Sequence, residues 1–220
     1  MKKLIDAWLT IWIHLISFLV GGAVCYTVTN WAHVSWQQIS LAIFLVVFLL
    51  HIIEEGELPG GFYYMYNTVF DPQNQLYDRY PINRFSEMIE NFLGIMLTLA
   101  YFWFFANNIT VTACLSICIV EVPGHLVTGK KMKERLASKG KTNWYNPGLV
   151  TDLLGFLPVG IYLVVMLVLA RASLAELGLG LLLGVASMLI CIHLPDKVFM
   201  SKNSPFVYDH DYGYFNRFLK

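Results

Sequence analysis

His51, Glu54 and Glu55 close an apolar run in FLLHIIEEGELPGG, residues 48–61. A helix turns about 100° per residue, so positions i+3 and i+4 flank the direction of position i one turn further on. The spacing predicts an imidazole and two carboxylates on one helix face. It recurs in SEMIENFLG, where Glu90 and Asn91 follow Glu87. EVPGH sets Glu121 and His125 four apart, with Pro123 and Gly124 loosening the helix between them. HLPDK adds His193 and Asp196, and His14 lies in the first apolar run.

Imidazole and carboxylate are ligands that zinc, iron and manganese accept. Carboxylates gathered in a poorly hydrated bundle repel one another, and a charge at the bilayer centre costs about 2.5–3.5 kcal/mol on insertion scales. A divalent cation offsets both effects, and mixed Glu/His sites inside helical bundles can hold two metals. The expected ligands are His51, Glu54, Glu55, Glu90, Glu121 and His125. A carboxylate left uncoordinated among Glu54, Glu55 and Glu121 would act as general base on a water whose pKa the metal lowers. Spacing leaves the membership of His14, Glu87, Asn91, His193 and Asp196 open. Each cluster alone also fits a plain role: a hydrated helix end, a Glu–His hydrogen bond, or an acid in a first helical turn.

The elements that must position these groups are membrane helices. The chain has 220 residues, is 57% hydrophobic and only 14% charged, against roughly 25% charged for a soluble domain. Six apolar stretches can cross a hydrocarbon core of ~30 Å at about 1.5 Å per residue. They run over about 7–29, 36–54, 86–106, 109–127, 148–170 and 174–194. The first is longer than the apolar core of a signal peptide, and no small-x-small cleavage site closes it, so it reads as a true span. The expectation is an all-α, polytopic transmembrane bundle forming a single domain over 1–220. Cys25, Cys114, Cys118 and Cys191 all fall inside these spans and read as packing residues.

Fourteen of the fifteen Lys and Arg residues fall on the side that holds both termini, the 2–3 loop and the 4–5 loop; Arg171 alone falls opposite. The positive-inside bias makes that side, and both termini, cytoplasmic in a cell membrane. Spans 2, 3, 4 and 6 then bring their His and carboxylate groups to one membrane depth, at the inner face. The tyrosine-rich segment 59–84 and the tail 195–220 suit the interface, and the basic loop 130–143 reads as a solvated segment that attracts anionic headgroups. The balance of fifteen basic and fifteen acidic residues gives no reason to expect a nucleic-acid partner. In NWYNPGLVTDLLG, Pro147 suits a first helical turn and Asn146 a cap, with Thr151 and Asp152 near the positive helix end, where an anionic group could bind.

HIIEE, PGGFYYMYN, EVPGHLVTGK and YNPGLVTDLLGFLPVGIY together resemble the HXXEE-motif membrane protein family over roughly residues 45–195. The resemblance implies that His51, Glu54, Glu55 and His125 are functional positions. The family tends to carry an Asn-Ala-x-x-His segment where this chain has Glu121-Val122-Pro123-Gly124-His125. The carboxylate of Glu121 adds negative charge and a potential ligand.

The leading expectation is a metal-dependent membrane enzyme of hydrolase type. It would act at the cytoplasmic interface on a lipid, lipid-linked or other membrane-associated substrate. The chain lacks a His-Glu-x-x-His helix, so zinc-protease chemistry is not indicated. A transporter or ion pathway ranks lower, because the outer halves of the spans are mostly apolar. A non-catalytic membrane partner, its polar cluster fixing helix packing, is the third reading. Oligomeric state is not legible.

Overall fold

The computed structural model describes residues 2–209 and 211–219; Met1, His210, Lys220 and the Lys2 side chain lie outside the described residues. The described chain is all-helical, with no strand among those residues. In chain order the helices are α1 (Lys2–Thr29), α2 (Trp36–Gly56), the short α3 (Phe62–Val69), α4 (Arg84–Phe104) and α5 (Asn108–Arg135). Two long helices follow, α6 (Leu149–Leu169) and α7 (Leu174–Phe199).

Four of these helices begin where the sequence supplies reciprocal caps. Ser35 with Gln38, Asn83 with Ser86, Asn107 with Thr110 and Ser173 with Glu176 each form a capping box. The cap oxygen accepts a free backbone N–H, and the third helical residue returns a bond to the cap. Such caps typically stabilise a helix by about 1 kcal/mol each.

Gln37 Nε2 donates to Asn108 Oδ1 at 3.2 Å, and Asn108 Nδ2 donates to Glu176 Oε1 at 2.9 Å. The starts of α2, α5 and α7 therefore share one end of the bundle, the far end. Since α2 finishes at the opposite end and α5 starts at the far end, α4 must traverse the bundle between them. α1, α2, α5, α6 and α7 are each long and apolar enough to cross a membrane. α4 matches them in length, but Arg84, Glu87 and Glu90 in its first two turns keep it out of that set. Large apolar side chains such as Phe18, Leu154, Val168 and Leu182 face outward, as lipid-facing surfaces require.

α5 and α7 pack closely because the sequence GLLLG puts Gly180 and Gly184 on one face of α7. A Cβ at either position would collide with Thr112 and the carbonyl of Ile109, or with Ser116 and the carbonyl of Ala113. Small residues one turn apart let membrane helices approach to backbone contact. Ile16, Phe44, Leu45, Ile95, Phe102, Val111 and Phe156 fill the centre of the bundle.

α5 continues beyond the apolar run 109–127, through KKMKER to Arg135, so the first part of the basic segment 130–143 is helical. Pro123 removes one backbone donor, but Gly129 and Met132 beyond it are buried, and their packing holds the added turns. A second core forms where segment 59–83, the end of α5 and the tail meet, built from Tyr63, Tyr64, Met65, Met132, Tyr214 and Phe215. Tyr63 OH donates to the carbonyls of Asp209 and Asp211 at 3.0 and 3.2 Å, and its ring stacks on Tyr208. The tyrosine-rich segment and the tail thus pack on one another as a cap over the site end.

Candidate metal centre

α2 carries His51, Glu54 and Glu55 at its site end, α5 carries Glu121 and His125, and α6 begins beside them. His125 Nδ1 lies 2.7 Å from Asn146 Oδ1. Asn146 Nδ2 donates to the carbonyls of His125 and Trp144 at 2.9 and 3.2 Å, which fixes the amide with its oxygen toward the ring. A carbonyl oxygen only accepts, so the proton sits on His125 Nδ1. His51 Nδ1 lies 2.9 Å from Thr151 Oγ1. The other neighbours of that hydroxyl are Glu54 Oε2 at 2.7 Å and the carbonyl of Gly148 at 2.9 Å, both acceptors. Thr151 donates to one of them and accepts from His51, whose proton is therefore also on Nδ1.

Both Nε2 atoms are left facing carboxylates. Glu55 Oε1 is 3.4 Å from His51 Nε2 and 3.2 Å from His125 Nε2. Glu121 Oε2 is 4.0 and 3.8 Å from the same two atoms. Ligand atoms bound tetrahedrally at about 2.1 Å stand about 3.4 Å apart. The four nitrogen–oxygen separations, 3.2–4.0 Å, bracket that value. Histidines that bind metal through one nitrogen ordinarily have the other N–H held by an oxygen acceptor, and both rings meet that condition.

Asp152 completes the cluster from the other edge. It is fully buried, its Oδ1 3.6 Å from His51 Nδ1 and its Oδ2 4.0 Å from His125 Nδ1. Neither oxygen has a hydrogen-bond donor among the described residues. One ligand atom from each of His51, Glu121, His125 and Asp152 lies within 4.8 Å of the others. Glu55 contacts the two Nε2 atoms, whereas Asp152 approaches the Nδ1 edges, so five side chains surround the imidazole pair. Buried carboxylates without donors are costly, and a divalent cation fits this donor set.

The local sequence explains the placement of Asp152. Residues 152–156 form a π turn, in which Leu157 N donates to the carbonyl of Asp152. Pro158 has no N–H to give to Leu154, and the wider turn absorbs that loss. Leu189–His193 repeats the device ahead of Pro195 on α7. Gly148 has φ +100°, and a Cβ there would strike the His125 ring. His51 also meets Phe156 edge-on with centroids 5.1 Å apart, and Phe62 lies 6.1 Å from His125. Aromatic rings thus flank the pair.

The expected residues separate into groups. His51, Glu55, Glu121 and His125 converge. Glu54, at i+3, turns away: its oxygens accept from Val150 N, Thr151 N, Thr151 Oγ1 and Tyr145 OH at 3.2, 2.7, 2.7 and 3.1 Å. The anion at the start of α6 is thus this chain's own glutamate. Asn146 does not cap that helix; Gly148 occupies the cap position without a side-chain bond. The Asn146 amide is taken up by His125 instead. Glu90 faces Asp196 across α4 and α7, and its Oε1 is buried without a hydrogen-bond partner. Glu87 accepts from Tyr208 OH. Glu87, Glu90, Asn91 and His193 line the same cavity as His51, Glu55 and Glu121. Thr151 and Asn146 as histidine partners had no signal in spacing, because they reach the site from another helix and a loop.

The model of a protein family described as "Protein of unknown function with HXXEE motif" matches residues 42–163. That is more than half of the chain. It belongs to the HXXEE-motif family. No curated protein and no solved structure matches. His51, Glu54 and Glu55 are the lettered positions of the HXXEE motif, and the structure gives its two glutamates different tasks. The matched stretch also holds Glu121, His125, Asn146, Thr151 and Asp152. The entire imidazole-centred cluster therefore lies within the HXXEE region.

Proposed function

We propose that this HXXEE protein is a metal-dependent membrane enzyme of hydrolase type. His51 and His125, with carboxylates from Glu55 and Glu121, would hold one divalent cation of the zinc, iron or manganese class, and Asp152 would back the pair from the Nδ1 edges. The observation that carries this reading is the pair of imidazoles with Nδ1–H held by Thr151 and Asn146 and Nε2 aimed at shared carboxylates. When bound, the cation would supply a water of lowered pKa. Whichever of Glu55 and Glu121 is left uncoordinated would serve as general base. Glu54 is a positioning residue, tying the start of α6 and Thr151 to α2. The site end faces the cytoplasm, on the side favoured by the basic residues, and the substrate is a lipid or lipid-linked molecule of the surrounding bilayer.

Transport is the less favoured reading. An ion pathway needs polar groups along its length, whereas the cavity beyond Glu90 is walled by residues such as Phe48, Leu97, Ile117 and Met188. Elemental analysis of the purified protein tests the reading. Stoichiometric metal, lost in both His51→Ala and His125→Ala, supports it. Intact protein without divalent metal, even after incubation with zinc, iron(II) or manganese, contradicts it.

A further inference from the structure

The cavity that opens from the metal cluster is far larger than one cation and its water need. It holds about 300 Å³ and runs between α2, α4, α5 and α7. Protein interiors are close-packed, with few voids larger than a water. This volume is instead at the lower end of the range for small-molecule pockets, roughly 300–1,000 Å³.

Its two ends differ in chemistry. The site end presents His51, Glu55 and Glu121, with Glu90 and Asn91 beside them. Past these the lining turns apolar through Phe48, Leu97, Ile117 and Met188. Tyr101 and Ser187 close the inner end, and their hydroxyls bond each other at 3.0 Å, while Ser187 also donates to the carbonyl of Leu183. Those polar groups are satisfied within the protein, so that end asks nothing polar of an occupant. From Glu90 to Tyr101 the α4 wall rises about 16 Å, at 1.5 Å per residue.

We propose that this cavity binds one slender apolar chain, so that the substrate class of the site is a single-chain amphiphile. Its polar head lies at the His51–Glu55–Glu121 end and its tail points toward Tyr101 and Ser187. The inference rests on the metal-enzyme reading for the identity of the head-binding end, but the chain site stands on cavity shape and lining alone. A two-chain phospholipid exceeds the volume, and a wholly polar solute finds no partners along the apolar wall. Close packing of the tail against the apolar wall, filling a space the protein leaves open, provides the affinity.

The test uses full-length protein in nanodiscs, with tritiated hexadecanol as the probe and metal content measured on each sample. Saturable binding is expected, displaced by unlabelled hexadecanol but not by cholesterol. Leu97→Trp and Ile117→Trp, which fill the apolar stretch from opposite walls, each weaken binding about tenfold or more by overpacking the space the tail needs. Both variants keep their helical circular dichroism and metal content. Wild-type protein stripped of metal with a chelator still binds hexadecanol, which separates failure of the metal reading from failure of the chain site. Absence of saturable binding by metal-replete protein overturns the inference. So does equal binding by wild type and both folded tryptophan variants, or displacement by cholesterol as effective as by hexadecanol.

Discussion

Glu54 and Thr151 meet across the α2–α6 interface, where Glu54 Oε2 accepts from Thr151 N and from Thr151 Oγ1, each at 2.7 Å. The adjacent Glu55 turns toward the two imidazoles instead, 3.4 and 3.2 Å from their Nε2 atoms. Two neighbouring carboxylates thus serve different ends: one joins helices, the other faces the imidazole pair.

Conservative amide substitutions should separate these tasks. Glu54→Gln weakens charge-assisted hydrogen bonds worth about 1.5–3 kcal/mol each and lowers thermal stability, while the folded fraction keeps its metal. Glu55→Gln changes stability less and lowers metal affinity about a hundredfold, at the upper end of what outer partners alone contribute. Thermal unfolding paired with metal titration distinguishes them. Greater loss of metal affinity in Glu54→Gln than in Glu55→Gln would reverse the assignment.

Asn146 touches His125 alone of the proposed ligands, so it would act on a bound metal through that ring. Asn146→Ala removes the acceptor for His125 Nδ1–H and should reduce metal affinity 10- to 100-fold, roughly the range for such outer partners. Competition against a chromogenic chelator measures this. Unchanged affinity in folded Asn146→Ala would mean that His125 is not a ligand.

Lys141 gives a pH signature outside the spans. Its side chain is 2% exposed, and Nζ donates to the carbonyl of Tyr145 at 2.5 Å and to Tyr214 OH at 3.1 Å. Burial, reinforced by the nearby positive charge of Arg217, brings its pKa down from 10.5 to about 8. The folded protein therefore releases this proton near pH 8, whereas the unfolded chain holds it up to 10.5. Between these values the unfolded state binds more protons, so stability rises with pH. Thermal unfolding of wild type and Lys141→Met across that window should show wild type gaining relative to the variant, with no such trend below pH 8. A constant difference across the window would contradict the burial of a depressed amine.

The α5–α7 contact depends on Gly180 and Gly184. Gly184→Leu should force the helices apart, an overpacking cost of about 1–3 kcal/mol or more, and expose Cys114 and Cys191, both buried in the wild type, to a thiol reagent. Wild-type labelling rates in the variant would contradict a backbone-close interface.

Helical periodicity made much of this legible. The long apolar runs predict the long helices, and i+4 spacing predicts that His51 faces Glu55 and that Glu121 shares a face with His125. Spacing alone could not part Glu54 from Glu55, since they sit at adjacent angles and only the arrival of α6 beside one of them decides. Asp152 is aimed by a π turn whose cause, Pro158, lies six residues further on, inside a run that reads as one continuous span. Asn146 has the look of a cap, yet a histidine nearly five helical turns into α5 competes for its amide and wins. The close packing at GLLLG was not read from the sequence, since its partner helix is fixed only by the tertiary arrangement.

X-ray absorption at the metal edge of purified, metal-loaded protein tests the central claim most directly. The account predicts nitrogen and oxygen ligands at about 2.0–2.2 Å, with multiple scattering from two imidazoles that falls to one in His51→Ala and in His125→Ala. A cation without imidazole scattering, or no cation retained at all, would contradict it.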